Sequence, residues 1–169
     1  MPVSRWRMEV TERPDGVLVI NDAYNANPES MRVALETLAA VSAGRRSSGG
    51  RAFAVLGHMA ELGAEAPAQH EELGRLAARL GIDRVIAVGG GARAIEQATA
   101  LEGSWSGTAT WVPDVDSAVA LLRAELRAGD AVLVKASRAA SLERVALAIA
   151  DDVVSGSAAG TEGNGGETG

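Results

Sequence analysis

Cysteine is absent from the chain, and its absence removes disulfides, thiol catalysis and thiolate metal sites from consideration. A reducing compartment fits that composition. Lysine occurs once, as Lys135, and the other basic residues are arginines. With a formal net charge of −6 and no clustered basic face, nonspecific nucleic-acid binding is excluded, because it needs many phosphate-neutralising cations. Aromatic residues make up only 3% of the chain, so the core has to be built from Ala, Val, Leu and Ile. No apolar run approaches the roughly 20 residues of a membrane span, and no signal peptide opens the sequence. The expectation is a soluble cytoplasmic domain with no membrane span. No G-x-x-x-x-G-K-[ST] string occurs: Lys135 is followed by Ala136 and has no glycine loop before it. A cradle for ATP phosphates is therefore missing.

What is present is 169 residues, about the size of one domain, of which 47% are hydrophobic and 22% charged. The amino-terminal part predicts a short strand over 7–10, then a turn at Pro14, Asp15 and Gly16, then an apolar strand over 17–22. So short a connection favours an antiparallel pair. Further apolar runs at Ala52–Leu56, Arg84–Val88, 110–112 and Ala131–Lys135 read as strands. Between them apolar residues recur at helical spacing. The stripes are Met31, Ala34, Leu35, Leu38 and Val41; Leu73, Leu76, Ala77 and Leu80; and Ala94, Ile95, Ala98 and Leu101. Two more follow: Val115, Ala118, Val119, Leu122 and Leu126, then Leu142, Val145, Ala146, Ile149 and Val153. Asn27 before Pro28, and Asp114 after Pro113, are helix-capping signals, and Pro67 marks a further helix start. Alternating strands and helices predict an α/β fold. The expected form is a Rossmann-like, doubly wound, mostly parallel sheet of about six strands, with one antiparallel amino-terminal strand and about five helices. The domain should cover 1–153. The segment 154–169 is low in complexity and expected to be a disordered tail, and the Gly/Ser-rich link 42–51 is expected to be mobile.

Ligands of such sheets bind beyond the carboxyl ends of the strands, which selects the loops 22–28, 57–63, 89–93, 113–116 and 135–141. The first holds Asp22, Tyr24, Asn25 and Asn27 before a helix start, where free N–H groups favour an anion or a sugar; the alternative is a well-capped turn. The last holds Lys135, Ser137 and Arg138, a concentrated anion site, with solvation or pairing to Glu143 as the alternative. His70 falls on the apolar side of its helix, which reads as a half-buried structural histidine. With His58 it makes no metal-ligand spacing, so no metal site is expected.

The string NDAYNANPESM at 21–31 closely resembles the D-[DS]-[AS]-Y-N-A-N-P-x-S-M signature of the D-alanyl-D-alanine-adding Mur ligases. AVLGHMAELG at 54–63 is similar to that family's V-L-G-[DE]-M-x-E-L-G, and His70 follows as in its E-x-H. Residues 81–85 (GIDRV) are also familiar, and VKASR at 134–138 with LERV at 142–145 resembles V-K-G-S-R…M-E-x-V. The matches stand in family order and cover roughly residues 5–150.

The resemblance implies the carboxy-terminal domain of a ligase that adds D-alanyl-D-alanine to UDP-N-acetylmuramoyl-tripeptide. In that family a central domain holds the P-loop, the Mg²⁺ ligands and the precursor, and the carboxy-terminal domain closes over it. The precursor carboxylate takes the γ-phosphoryl group of ATP, and the dipeptide amine then displaces phosphate. Carried over by motif, Asp22, Tyr24, Asn25 and Asn27 would lie at the nucleotide, with Asp22 toward the ribose. Met59, Glu61, Lys135, Ser137 and Arg138 would lie at the dipeptide or the reacting phosphate. ATP and Mg²⁺ would be held mainly by the central domain, so this chain, read as a separated piece of a longer ligase, is not expected to turn over alone. Its partners would be the amino-terminal and central ligase domains. Two residues depart from the pattern: His58 stands where the family is usually acidic, and Ala136 where it has glycine. The alternatives are a stand-alone dinucleotide-binding module, suggested by Gly89-Gly90-Gly91-Ala92-Arg93-Ala94 with Asp114 downstream, or a protein-interaction module.

Overall fold

The computed structural model describes residues 8–23 and 26–152. Six strands form one sheet in the order β1-β2-β6-β3-β4-β5. They are β1 (Glu9–Glu12), β2 (Leu18–Asn21), β3 (Ala52–Leu56), β4 (Arg84–Val88), β5 (Thr108–Val112) and β6 (Ala131–Lys135). Among the described residues only the β1–β2 pair is antiparallel. Five helices connect or follow the strands: α1 (Pro28–Ala43), α2 (Ala66–Arg79), α3 (Arg93–Ala100), α4 (Val115–Glu125) and α5 (Glu143–Ala150). The expected Rossmann-like architecture is the one observed.

The two-residue period of the strands divides the core. Val132 and Val134 of β6 face α4 and α5, together with Phe53, Val55, Ile86, Leu122, Val145 and Ile149. Ala131 and Leu133 face the opposite layer of α1, α2 and α3, with Ala54, Leu56, Met31, Leu35, Leu38, Leu73 and Ile95. Strands buried on both faces carry near-continuous apolar runs, which is why β3, β4 and β6 begin and end where the sequence predicts. The edge strands differ. All four residues of β1 are exposed, and the strand spans Glu9–Glu12 rather than 7–10, a reading that starts outside the described residues. The other edge strand, β5, starts two residues early, at Thr108, because its exposed beginning has no apolar signal.

Chain order fixes the handedness of the layers. β2, β3 and β4 are each followed by a helix on one face, whereas β5 and β6 feed α4 and α5 on the other. β6 lies between β2 and β3, so the loops that leave the carboxyl ends of these three strands meet at one edge of the sheet. The link 42–51 is pinned: Arg45 donates to Gly16 O at 2.7 Å and Gly129 O at 3.2 Å, and Arg51 pairs with buried Asp130 at 2.8 Å. Leu101, placed on a buried stripe by its spacing, is 84% exposed because α3 stops at Ala100. Val153 and the segment 154–169 lie outside the described residues, and no described helix is long and apolar enough to cross a membrane.

Candidate functional site

The parallel register of β2 on β6, with Asn21 opposite Val134, brings Asp22 beside Lys135 although 113 residues separate them. The Lys135 ammonium donates to Asp22 Oδ2 at 2.8 Å and lies 3.4 Å from the Asp22 carbonyl. Their side chains are 2% and 11% exposed. Neither reading of Lys135 from sequence, anion ligand or partner of Glu143, assigned this pair. Five residues on, Asn27 caps α1: its Oδ1 accepts from Ser30 N at 2.9 Å, and the Asn27 N–H donates to Ser30 Oγ at 3.1 Å. This reciprocal box ties up the Asn27 side-chain oxygen. Tyr24 and Asn25 lie outside the described residues.

The loop after β3 sits against the loop after β6. Gly57 permits the approach, since a Cβ there would stand 2.5 Å from Ala136 Cβ and 3.0 Å from Leu142 Cδ1. Ala136 is fully buried and is not among the residues with positive φ, so alanine in place of the family's glycine carries no backbone strain. His58 accepts from Ser137 N at 3.0 Å through its carbonyl, and its Nε2 lies 3.3 Å from Ser137 Oγ. A histidine at this usually acidic position thus has a hydroxyl partner. Met59 is buried, and its N–H donates to His70 Nε2 at 2.8 Å. His70 is itself buried, more fully than the half-buried position its spacing suggests. Glu61 is exposed and held at φ 63, a left-handed conformation that costs a non-glycine residue about 1–3 kcal/mol. Ser137 is buried, and Arg138 is exposed at the start of a 3-10 turn, Arg138–Ala140.

Beside these loops is a cavity of about 420 Å³, lined among others by His58, Gly89, Asp114, Asp116, Ser141 and Arg144. Sequence reasoning named the loops 89–93 and 113–116 by rule but missed Asp116 and Arg144 as site residues. Only the sheet order brings them to His58. Arg144 lies 3.7 Å from Asp116 across the mouth. The glycine run has structural reasons: Gly89 adopts φ 87, and a Cβ on Gly91 would stand 2.8 Å from His58 Cβ. Trp111 Nε1 donates to Gly89 O at 2.7 Å, with the Arg93 guanidinium stacked over the Trp111 ring. Asp114 caps α4 by accepting from Ser117 N at 2.8 Å. That hydrogen bond holds its carboxyl below the ordinary aspartate range. A second recess, of about 500 Å³, lies between α1 and α2 and is lined by Glu29, Arg32, Met59, Leu73 and Leu76 among others. Among the described residues no three His, Asp or Glu side chains stand together as a metal site.

A doubly wound α/β domain that collects its polar loops at one sheet edge belongs to the broad class of Rossmann-like ligand-binding domains. Within that class, the family model described as Mur ligase, glutamate ligase domain matches residues 6–138, and the chain belongs to this family. It is 52% identical to the UDP-N-acetylmuramoyl-tripeptide–D-alanyl-D-alanine ligase of Mycobacterium tuberculosis (strain H37Rv) over 169 positions, covering 92% of this chain and 33% of the relative. The Escherichia coli K12 enzyme of the same name is 36% identical over 135 positions, 80% of this chain and 27% of that enzyme. Among solved structures, the MurF ligase of Thermotoga maritima in complex with ADP superposes with a TM-score of 0.70 at 30% identity, covering 89% of this chain and 31% of that one. A MurF structure from Acinetobacter baumannii gives 0.72 at 26% identity, with 88% and 31% covered. The chain thus spans about a third of the length of the relatives it matches.

Proposed function

We propose that this domain closes over the active site of an ATP-dependent ligase that joins D-alanyl-D-alanine to UDP-N-acetylmuramoyl-tripeptide in the cytoplasm. The observation that carries the reading is the convergence of three loops distant in sequence. The loops beginning at Asp22, Gly57 and Lys135 are drawn to one edge by the Asp22–Lys135 pair and the His58–Ser137 contacts. They carry the strings that resemble D-alanyl-D-alanine-adding ligases, and a relative of that name is 52% identical over 92% of the chain.

The residues present fit the sugar end of a nucleotide. Lys135 occupies Asp22 Oδ2, which leaves Oδ1 as an acceptor for a ribose hydroxyl. Tyr24, Asn25 and Asn27 complete that loop in the reading, with Asn27 also setting the start of α1. The dipeptide is a zwitterion, and the cavity of about 420 Å³ offers both complements: Arg144 and Ser141 for its carboxylate, Asp114 and Asp116 for its ammonium. Glu61 and Arg138, both exposed, would reach the dipeptide from the same loops in this reading. Met59, Lys135 and Ser137, all buried, act by holding the loops in place.

ATP supplies the phosphoryl group that makes the precursor carboxylate reactive toward an amine. Mg²⁺ and the phosphates fall to the central domain in this reading, since the sequence has no P-loop. The work of this domain is to orient the dipeptide amine and exclude water, the usual contribution of a closing lid. The test is Arg144→Ala in the intact ligase. Loss of a charge-assisted contact predicts a dipeptide KM raised about tenfold, with the ATP KM unchanged. An unchanged dipeptide KM would remove the cavity from the substrate site.

A further inference from the structure

His70 is 3% exposed and hydrogen-bonded through both ring nitrogens. The peptide N–H of Met59, 2.8 Å from Nε2, can only donate, so Nε2 must present a lone pair. In a neutral imidazole the proton then sits on Nδ1, where the Ala66 carbonyl waits at 2.6 Å. One tautomer satisfies both partners. The other would set N–H against N–H and a lone pair against a carbonyl oxygen, and an imidazolium has no acceptor to offer Met59.

This bond clamps the 58–59 peptide between two recesses. Met59 turns into the layer beneath α1 and α2, where it lines the recess of about 500 Å³. His58 lines the cavity of about 420 Å³ and meets Ser137 through both its carbonyl and its ring. A helix interior is thereby connected through one ring to the loop that carries Ser137 and Arg138.

We propose that His70 is a positioning residue: fixed as the Nδ1–H tautomer, it clamps the Met59 peptide and so sets His58 and Ser137 at the wall of the candidate dipeptide cavity. Its catalytic consequence rests on the function proposed above, whereas the clamp itself can be read in the chain alone.

Nitrogen-15 NMR of the intact chain should show a pyrrole-type Nδ1 and a pyridine-type Nε2 at His70. A protonated Nε2 overturns the proposal. The two amide replacements separate the two bonds. His70→Gln carries its oxygen to the Nε2 position and keeps the Met59 bond, while His70→Asn reaches only the Nδ1 position. Hydrogen exchange at the Met59 amide should be about tenfold faster in His70→Asn and close to wild type in His70→Gln. Equal protection in both variants overturns the clamp. In the ligase carrying this domain, His70→Asn should raise the dipeptide KM more than it lowers kcat, with rescue by His70→Gln. A dipeptide KM unchanged while the Met59 amide is deprotected overturns the positioning role. A wild-type ligase indifferent to the dipeptide would count against the proposed function, leaving the tautomer and exchange results to decide the clamp.

Discussion

Breaking the Asp22–Lys135 pair should destabilise the domain far more than an ordinary surface ion pair would. At 2.8 Å and an effective dielectric of about 20, the gross attraction is about 6 kcal/mol. Dehydrating two side chains that are 2% and 11% exposed offsets much of it, so the pair is a weak net stabiliser as a unit. Removing one partner is different, because the other charge stays buried without its counter-ion. Lys135→Met keeps the stem volume but strands the Asp22 carboxylate, with an expected cost of about 3–5 kcal/mol. Asp22→Asn should cost less, since Lys135 retains the Asp22 carbonyl at 3.4 Å. The double variant should recover part of the loss, with a coupling energy of about 2–3 kcal/mol. Urea unfolding of the chain, followed by circular dichroism, measures all three. Single variants within about 1 kcal/mol of wild type, or costs that simply add, would refute the claim that these residues are buried partners.

Gly57→Ala should destabilise by about 1–3 kcal/mol, because its Cβ would stand 2.5 Å from Ala136 Cβ; a melting temperature equal to wild type would show that the two loops can part freely. Glu61→Gly should raise stability by about 1 kcal/mol through relief of the left-handed backbone, measured by thermal melting; a loss would mean the Glu61 side chain holds the loop. The cap on α4 predicts an acid effect with a definite sign. Asp114 has its carboxyl lowered by the Ser117 hydrogen bond, so its contribution is complete above the ordinary aspartate value and fades as pH falls through the lower folded value. Comparing melting temperatures of wild type and Asp114→Asn across that acid range should show the difference shrinking; a constant difference would rule out the ionised cap.

The parts legible in the sequence were those governed by local or periodic chemistry. β3, β4 and β6 announced themselves because both faces are buried, and Asn27 and Asp114 because capping is decided within three residues. His70 was legible as structural from its step with Leu73 and Ala77. The site was legible as a set of loops but not as a set of contacts. Lys135 finds Asp22 only because β6 inserts between β2 and β3, and strand order is a long-range property that periodicity does not encode. The same insertion brings Ser137 to His58. Arg144 and Asp116 are not singled out by sequence, since nothing near them says that α4 and α5 begin on either side of one cavity.

The central claim, that this domain is the closing element of a D-alanyl-D-alanine-adding ligase, is tested most directly by reconstitution. Phosphate release from ATP would be followed with tripeptide precursor and D-alanyl-D-alanine present, using a ligase fragment that holds only the amino-terminal and central domains. Dipeptide-dependent release is expected when this chain is added, and none from the fragment or the chain alone. Turnover by the chain alone, or equal turnover by the fragment with and without it, would mean that this domain is not the closing element.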